Sequence, residues 1–162
     1  MIRIRPYKDS DAEKIRAWCR DEDTYYKWTA GILGDYPLTE EQFRKTGALM
    51  RFTALDEKEV AGFFTVRNPG DTLDELRIGF VIVDPAKRGR GIGREMLRLG
   101  VRYAFTIYHA ERVSLSVFEN NLPACSCYRA AGFSETGVKE KYVIRGEEQV
   151  AIEMARNTDI AS

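Results

Sequence analysis

The residues best suited to chemistry lie in one stretch, Val83-Asp84-Pro85-Ala86-Lys87-Arg88-Gly89-Arg90-Gly91-Ile92-Gly93-Arg94. Three alternate glycines let the backbone approach a ligand closely, and a helix expected to begin at Ile92 presents unpaired N–H groups and a positive dipole there. Such a place suits an anion, phosphate above all. From Lys87 to Arg102 six basic residues face one acid, Glu95, in a chain whose 25 Lys and Arg balance 25 Asp and Glu. A Gly-rich turn ahead of a solvated basic helix face would share these features. Two known phosphate loops fail: Gly93 is followed by Arg94-Glu95 rather than Lys-Ser/Thr, and the glycines read G-x-G-x-G rather than G-x-G-x-x-G. Downstream, Asn121 and Tyr128 stand two helical turns apart and share a face with Ala124. A tyrosine with its ordinary pKa of about 10 is protonated at neutral pH and can donate to a developing anion. A helix tyrosine packed on a sheet is the plainer alternative.

The elements that must position these residues follow from periodicity. Strands are expected over 2–5, 50–55, 60–67, 73–83, 112–117, 135–144 and 149–154. A helix capped by Asp9 or Ser10 carries Ala12, Ile15, Trp18 and Cys19; an aromatic, turn-rich stretch follows, with Tyr25, Tyr26, Trp28, Gly31, Gly34, Tyr36 and Pro37. Thr39 to Gln42 has a capping-box pattern. A long helix over 92–108 sets Ile92, Met96, Leu99 and Tyr103 inward and Arg94, Arg98 and Arg102 outward, and a short helix over 122–131 ends at Gly132. Residues 68–71 read as a turn and 157–162 as a frayed tail. The order implies an α/β domain, a mixed sheet with helices on both faces.

Composition excludes several classes. At 162 residues, 44% hydrophobic and 31% charged, the chain has the size and composition of one folded domain. Its zero net charge removes the usual ground for a nucleic-acid binder. The longest apolar run, Ile78-Gly79-Phe80-Val81-Ile82-Val83, is too short for a bilayer, and the N-terminus lacks the apolar region of a signal peptide, so a cytoplasmic protein is expected. Cys19, Cys125 and Cys127, with His109 the one histidine, suggest neither a disulfide framework nor a zinc site.

Arg88-x-x-Gly91-x-Gly93 resembles the R/Q-x-x-G-x-G/A pyrophosphate loop of the GNAT superfamily of N-acetyltransferases, and Asn121-x-x-Ala124-x-x-x-Tyr128-x-x-x-Gly132-Phe133 resembles its second signature. Arg3 and Pro6, then Asp9-x-Asp11-Ala12, are similar to the opening strand and first helix. The likeness spans residues 1–155, with 156–162 left as a flexible tail. It implies the GNAT fold, a single, mostly antiparallel mixed sheet flanked by helices on both faces. It also implies acetyl-CoA as cosubstrate, no metal, and direct attack by a primary amine in a ternary complex.

In such a protein the backbone of Val81, Ile82 and Val83 would pair with the pantetheine arm, with an N–H near Val81 meeting the oxyanion. Arg88, Gly89, Arg90, Gly91, Ile92, Gly93 and Arg94 would hold the pyrophosphate, and Asn121 would bond the pantetheine amides. Tyr128 would be the general acid toward sulfur. Arg77 stands where family members often carry a basic Glu; Glu75, on the same strand face, is the candidate base, with Ser116, Glu119 or a water relay as alternatives. Trp18, Tyr25, Tyr26, Trp28, Tyr36 and Tyr142, with Asp21, Glu22, Asp23 and Asp35, would form an acceptor pocket suited to a cationic amine, and Tyr26, Trp28, Tyr36 and Tyr142 are the substrate-binding candidates. The aromatic loop and Thr39-Glu40-Glu41 are similar to the branch that acetylates ribosomal-protein N-termini. The acceptor is then a small-molecule amine or a protein N-terminus, with no nucleic acid or membrane partner and a homodimer left open. A non-catalytic acyl-CoA-binding module, and more remotely a nucleotide-binding regulatory domain, are the competing classes.

Overall fold

Strand pairing follows the alternation of the sequence, with one exception that shapes the molecule. The computed structural model describes residues 1–70, 72 and 74–158. Its strands are β1 (Ile2–Pro6), β2 (Met50–Asp56), β3 (Glu59–Arg67), β4 (Glu75–Val83), β5 (Arg112–Phe118), β6 (Ser134–Ile144) and β7 (Glu147–Asn157). They form one sheet in the order β1-β2-β3-β4-β5-β7-β6. Every pairing is antiparallel except β4 with β5. That parallel pair has only three rungs, Glu75 with Arg112, Leu76 with Val113 and Arg77 with Ser114. Beyond Arg77 the two strands part.

A parallel pair needs a crossover, and α4 (Ile92–Thr106) supplies it. With α5 (Leu122–Ala130) it covers one face of the sheet through Phe64, Leu76, Ile78, Met96, Leu97, Val101 and Leu115. The buried stripe of α4 is Ile92, Met96, Leu97, Gly100, Val101 and Ala104. Leu99 and Tyr103, expected inward, are half-buried, because the stripe centres on Leu97 and Val101. Arg94, Arg98 and Arg102 are exposed as expected.

The other face carries α1 (Ala12–Ala17), α2 (Glu22–Thr29) and α3 (Glu40–Arg44). Its core joins Ile15, Trp18, Phe43, Phe63 and Ile82. The predicted capping box forms: Thr39 Oγ accepts from the Gln42 amide at 3.1 Å and Gln42 Oε1 from the Thr39 amide at 3.0 Å. The aromatic stretch departs from expectation, since residues 22–29 are helical. Asp21 caps that helix by accepting from the Thr24 amide at 2.7 Å, and Ala30, at φ 54°, ends it.

Strand β7 runs to Asn157, so Arg156 and Asn157, assigned to the tail from sequence, pair with Val113 and Arg112. Asp71 and Leu73 of the expected turn and strand, and tail residues 159–162, lie outside the described residues. No described helix is long and apolar enough to cross a membrane.

Candidate active site

The parted strands leave the β5-facing backbone edge of β4 without a strand partner past Arg77 among the described residues. Val81 and Val83 line this edge half-buried toward α4, while Ile82 is buried on the opposite face. A bulge shifts the β3–β4 register between Phe63 and Thr65, and Phe80 opposite it adopts φ 48°. A left-handed non-glycine residue costs about 1–2 kcal/mol, a strain the surrounding packing must hold. The Phe80 ring meets Trp28 edge-on at a centroid distance of 6.3 Å. Sequence reasoning missed Phe80, because no residue type announces a bulge at a phenylalanine.

At the end of β4, Asp84 Oδ1 accepts from the Ala86 amide at 2.9 Å and starts a tight turn over 85–87. Gly89 and Gly91 follow at φ 78° and 76°. Gly91 is the N-cap of α4, and no described side chain caps this end. The first helical bond is the Glu95 amide to Gly91 O at 3.1 Å, so the amides of Ile92, Gly93 and Arg94 find no partner among the described residues. Three free N–H groups on the positive end of a long helix form an anion cradle.

Gly93 has a different duty from Gly91. A Cβ there would lie 3.2 Å from Cys127 Sγ and 3.5 Å from the Val83 side chain, so its bareness lets α4, α5 and β4 converge. The basic residues divide as well. Lys87 holds Asp56 at 3.1 Å and Glu59 at 2.9 Å, pinning the loop to the β2–β3 turn, and Arg90 lies 3.8 Å from Asp56. Arg98 donates to Ala130 O at 3.2 Å. Arg88 and Arg94 have no ion pair among the described residues and lie in and just after the glycine loop.

On α5, Asn121 is the N-cap, its Oδ1 3.4 Å from the Ala124 amide. Tyr128 is 8% exposed and its hydroxyl has no protein partner among the described residues. Burial, then the neighbouring Cys127 and Cys125, push its pKa well above the usual phenol value. Such a phenol stays protonated at any neutral pH but parts with its proton reluctantly. Such a group is suited to donating a hydrogen bond to an anion rather than to releasing its proton outright.

Glu75 and Arg77 do share a face, the one opposite α4. They are tied into a network: Ser114 Oγ donates to Glu75 Oε2 at 2.8 Å, and Arg112 Nε lies 3.0 Å from Glu75 Oε1. Arg77 donates from Nε to Ser114 Oγ at 3.1 Å and from Nη2 to Glu153 Oε2. Glu153 also accepts from Arg112 and from Thr136 Oγ, each at 3.0 Å. Glu75 therefore lies on the paired rungs rather than in the open part of the split. Arg112, Ser114 and Glu153 escaped sequence reasoning, although an acid between Ile152 and Met154 was a signal that this strand has a polar face.

The aromatics also divide. Trp18 and Tyr25 are core residues at 3% and 0% exposure. Tyr36 OH donates to Arg20 O at 3.2 Å and Tyr26 OH accepts from the Tyr36 amide at 3.3 Å, so this pair staples its own loop. Tyr142 packs edge-on to Phe118 at 5.7 Å, in a cluster that includes Tyr26. Trp28 alone of the four substrate candidates reaches β4, through Phe80.

A separate cleft of about 840 Å³ lies between the C-terminal halves of α4 and α5. Its Arg98 and Arg156 donate to the last carbonyls of α5, Ala130 O and Ala131 O. They cap a helix end there.

Comparison with known proteins bears on the fold and the family. A solved spermidine N-acetyltransferase from Vibrio cholerae, in complex with CoA and spermine, superposes with a TM-score of 0.79 at 21% identity, covering 96% of this chain and 95% of that one. The probable N-acetyltransferase YjcK of Bacillus subtilis is 26% identical over 155 residues, 88% of this chain and 85% of that protein. A spermine/spermidine N(1)-acetyltransferase of the same organism is 34% identical over 55 residues, and there the chain spans only 36% of the relative's length. The sequence profile described as the acetyltransferase (GNAT) family matches residues 9–133, from the first turn through the loop and α5. The chain belongs to that family.

Proposed function

We propose that this protein transfers acetyl from acetyl-CoA to a primary amine, on a small molecule or at a protein N-terminus. The observation that carries the reading is the junction, among the described residues, of an unpaired β4 edge with an uncapped α4 N-terminus and a largely buried Tyr128 whose hydroxyl has no protein partner. The free amides of Ile92, Gly93 and Arg94, with Arg88 and Arg94, would hold the pyrophosphate, and the β4 edge over Val81 to Val83 would pair with the pantetheine amides. Asn121 would add its side-chain NH₂ group, which has no partner among the described residues.

When bound, the cosubstrate supplies an activated thioester carbonyl and a thiol leaving group. The amine nitrogen, as its lone pair, forms the new C–N bond while the C–S bond breaks. Sulfur takes the electron pair and then a proton, and nitrogen loses one. Tyr128 supports the sulfur by hydrogen bonding, and a free N–H of β4 near Val81 faces the developing oxyanion. Proximity in the ternary complex supplies much of the acceleration. Glu75, engaged by Arg112 and Ser114, suits ordering a water that takes the amine proton better than taking it directly.

Because an arginine fills the acidic slot, an acyl-CoA-binding module is the second reading. Calorimetry with CoA and a thiol-release assay over an amine panel separate the two: binding with turnover supports transfer, and binding without thiol release supports the module. The three free cysteines accord with the reducing cytoplasm we assign it.

A further inference from the structure

The cleft between the C-terminal halves of α4 and α5 gathers positive charge that its own walls do not balance. Arg98 and Arg102 of α4 and Arg156 of β7 line it, and no Asp or Glu does so among the described residues. Arg98 and Arg102 stand four residues apart and share one helix face. Val101, Phe105 and Ala131 give the same cleft an apolar side. Its volume of about 840 Å³ lies within the range of small-molecule pockets.

Capping α5 engages these arginines only in part. Arg98 Nη2 donates to Ala130 O at 3.2 Å and Arg156 Nη1 to Ala131 O at 3.0 Å, one bond each. A guanidinium carries five N–H donors, so most of theirs find no protein partner among the described residues. Arg102 accepts from Thr106 Oγ1 through its backbone carbonyl, and its guanidinium has no partner among the described residues. The one ion pair in the group, Arg98 with Glu95 at 3.9 Å, is half-exposed and neutralises little. Arg156 is held in place beforehand. A Cβ on Gly132, which sits at φ 98°, would lie 3.1 Å from Arg156 Cδ and 3.2 Å from its Nε and Nη1, so the bare glycine lets this side chain pack on the turn.

We propose that this cleft is a second anion site, which takes the phosphate of a small phosphate monoester. A tetrahedral dianion offers acceptors to more than one guanidinium fork, and the apolar side receives the body of the ester. Helix α4 rises about 1.5 Å per residue, so Arg102 stands about 15 Å along it from Ile92 and the cleft is distinct from the cradle. The proposal does not depend on the acetyl-transfer reading.

The test titrates glucose 6-phosphate, 5′-AMP and phenyl phosphate into the protein by calorimetry, with and without saturating CoA and at constant ionic strength. Each is compared with its phosphate-free partner (glucose, adenosine, phenol) and with inorganic phosphate. At least one ester should bind once per chain, with or without CoA, and exceed both comparators in affinity by about 10-fold or more. Arg102→Gln removes no hydrogen bond within the described protein, so it tests the site without disturbing the α5 cap. It should weaken that ester by about 10- to 100-fold and leave acetyl-CoA affinity within about threefold. Arg156→Lys, which keeps the charge and loses the fork, should give a smaller loss. Competition between CoA and every bound ester overturns the proposal by placing the ester in the cradle. Affinity indifferent to Arg102→Gln, inorganic phosphate equal to every ester, or no binding of any ester overturns it as well. So does Arg102-dependent binding of a single-stranded RNA oligomer more tightly than any ester, which would make the face a nucleic-acid contact.

Discussion

Replacing Gly91 separates the backbone cost of the loop from its ligand role. The residue sits at φ 76°, where any side chain is strained, and a Cβ there lies 3.4 Å from Arg94 Nη2. Gly91→Ala and Gly91→Glu both take on the left-handed penalty of about 1–2 kcal/mol, which for a chain of this size lowers Tm by about 2–8 °C. Only the glutamate brings a carboxylate to the free amides of Ile92, Gly93 and Arg94. It competes for these donors and repels an incoming pyrophosphate. Hydrogen bonds to a charged group contribute about 1.5–3 kcal/mol each, so losing two of the three weakens acetyl-CoA by roughly 10²- to 10⁴-fold. Calorimetric titration of both variants reads the difference, with thermal melts confirming that they are equally folded. If Gly91→Glu binds acetyl-CoA within threefold of Gly91→Ala, the α4 N-terminus does not hold the pyrophosphate.

Tyr128→Phe should lower kcat by roughly 10- to 1000-fold while leaving the calorimetric affinity for acetyl-CoA within about threefold; an unchanged kcat takes Tyr128 out of the support of the leaving sulfur. Leu97→Ala, at a fully buried site, should cost about 2–5 kcal/mol in chemical denaturation with acetyl-CoA affinity retained once folded. Asp11 is 3% exposed, and although burial raises its pKa, Arg5, the Lys8 amide and Thr53 outweigh that and hold it below the usual carboxylate value. A depressed carboxylate stabilises the fold above its unfolded pKa of about 4 and loses that contribution as pH falls through the folded value, so Asp11→Asn should flatten the acid limb of a Tm–pH curve. An acid limb as steep as wild type would rule that out. Glu75→Gln should lower kcat/KM most at low pH, where the amine is protonated, and a pH–rate profile overlaying wild type would take Glu75 out of proton transfer.

Local signals carried most of the fold. The Thr39 box, the amphipathic long helix and the glycine loop rest on residues within a turn or two of each other, and such patterns survive without tertiary knowledge. Helix α2 was hidden because Tyr25, Tyr26, Trp28 and Thr29 are poor helix formers and Gly31, Gly34 and Pro37 dominate the stretch. Its acids were legible as charges but not as cap and dipole partners, which is the duty of Asp21 and the first-turn position of Glu22 and Asp23. The shared face of Glu75 and Arg77 followed from strand alternation. Their partners did not, since Glu153 lies 76 residues from Arg77 and reaches it only through the β5–β7 pairing.

The same topology explains why the candidate site is where it is. A single parallel pair in an otherwise antiparallel sheet forces one helical crossover, and the crossover helix begins beside the C-terminal end of the first strand. The anion cradle and the free strand edge are thus two consequences of one connection. A pair with three rungs is liable to unzip further, and the network of Glu75, Arg112, Glu153, Arg77 and Ser114 spans β4, β5 and β7 at that point. Its charges alternate in sign and lie mostly sheltered, where ion pairs with added hydrogen bonds hold best. An arginine at position 77 therefore serves the fold by closing the split where the two strands part. In the proposed mechanism proton removal then passes to water, which links Arg77 and the engaged Glu75 as parts of one arrangement.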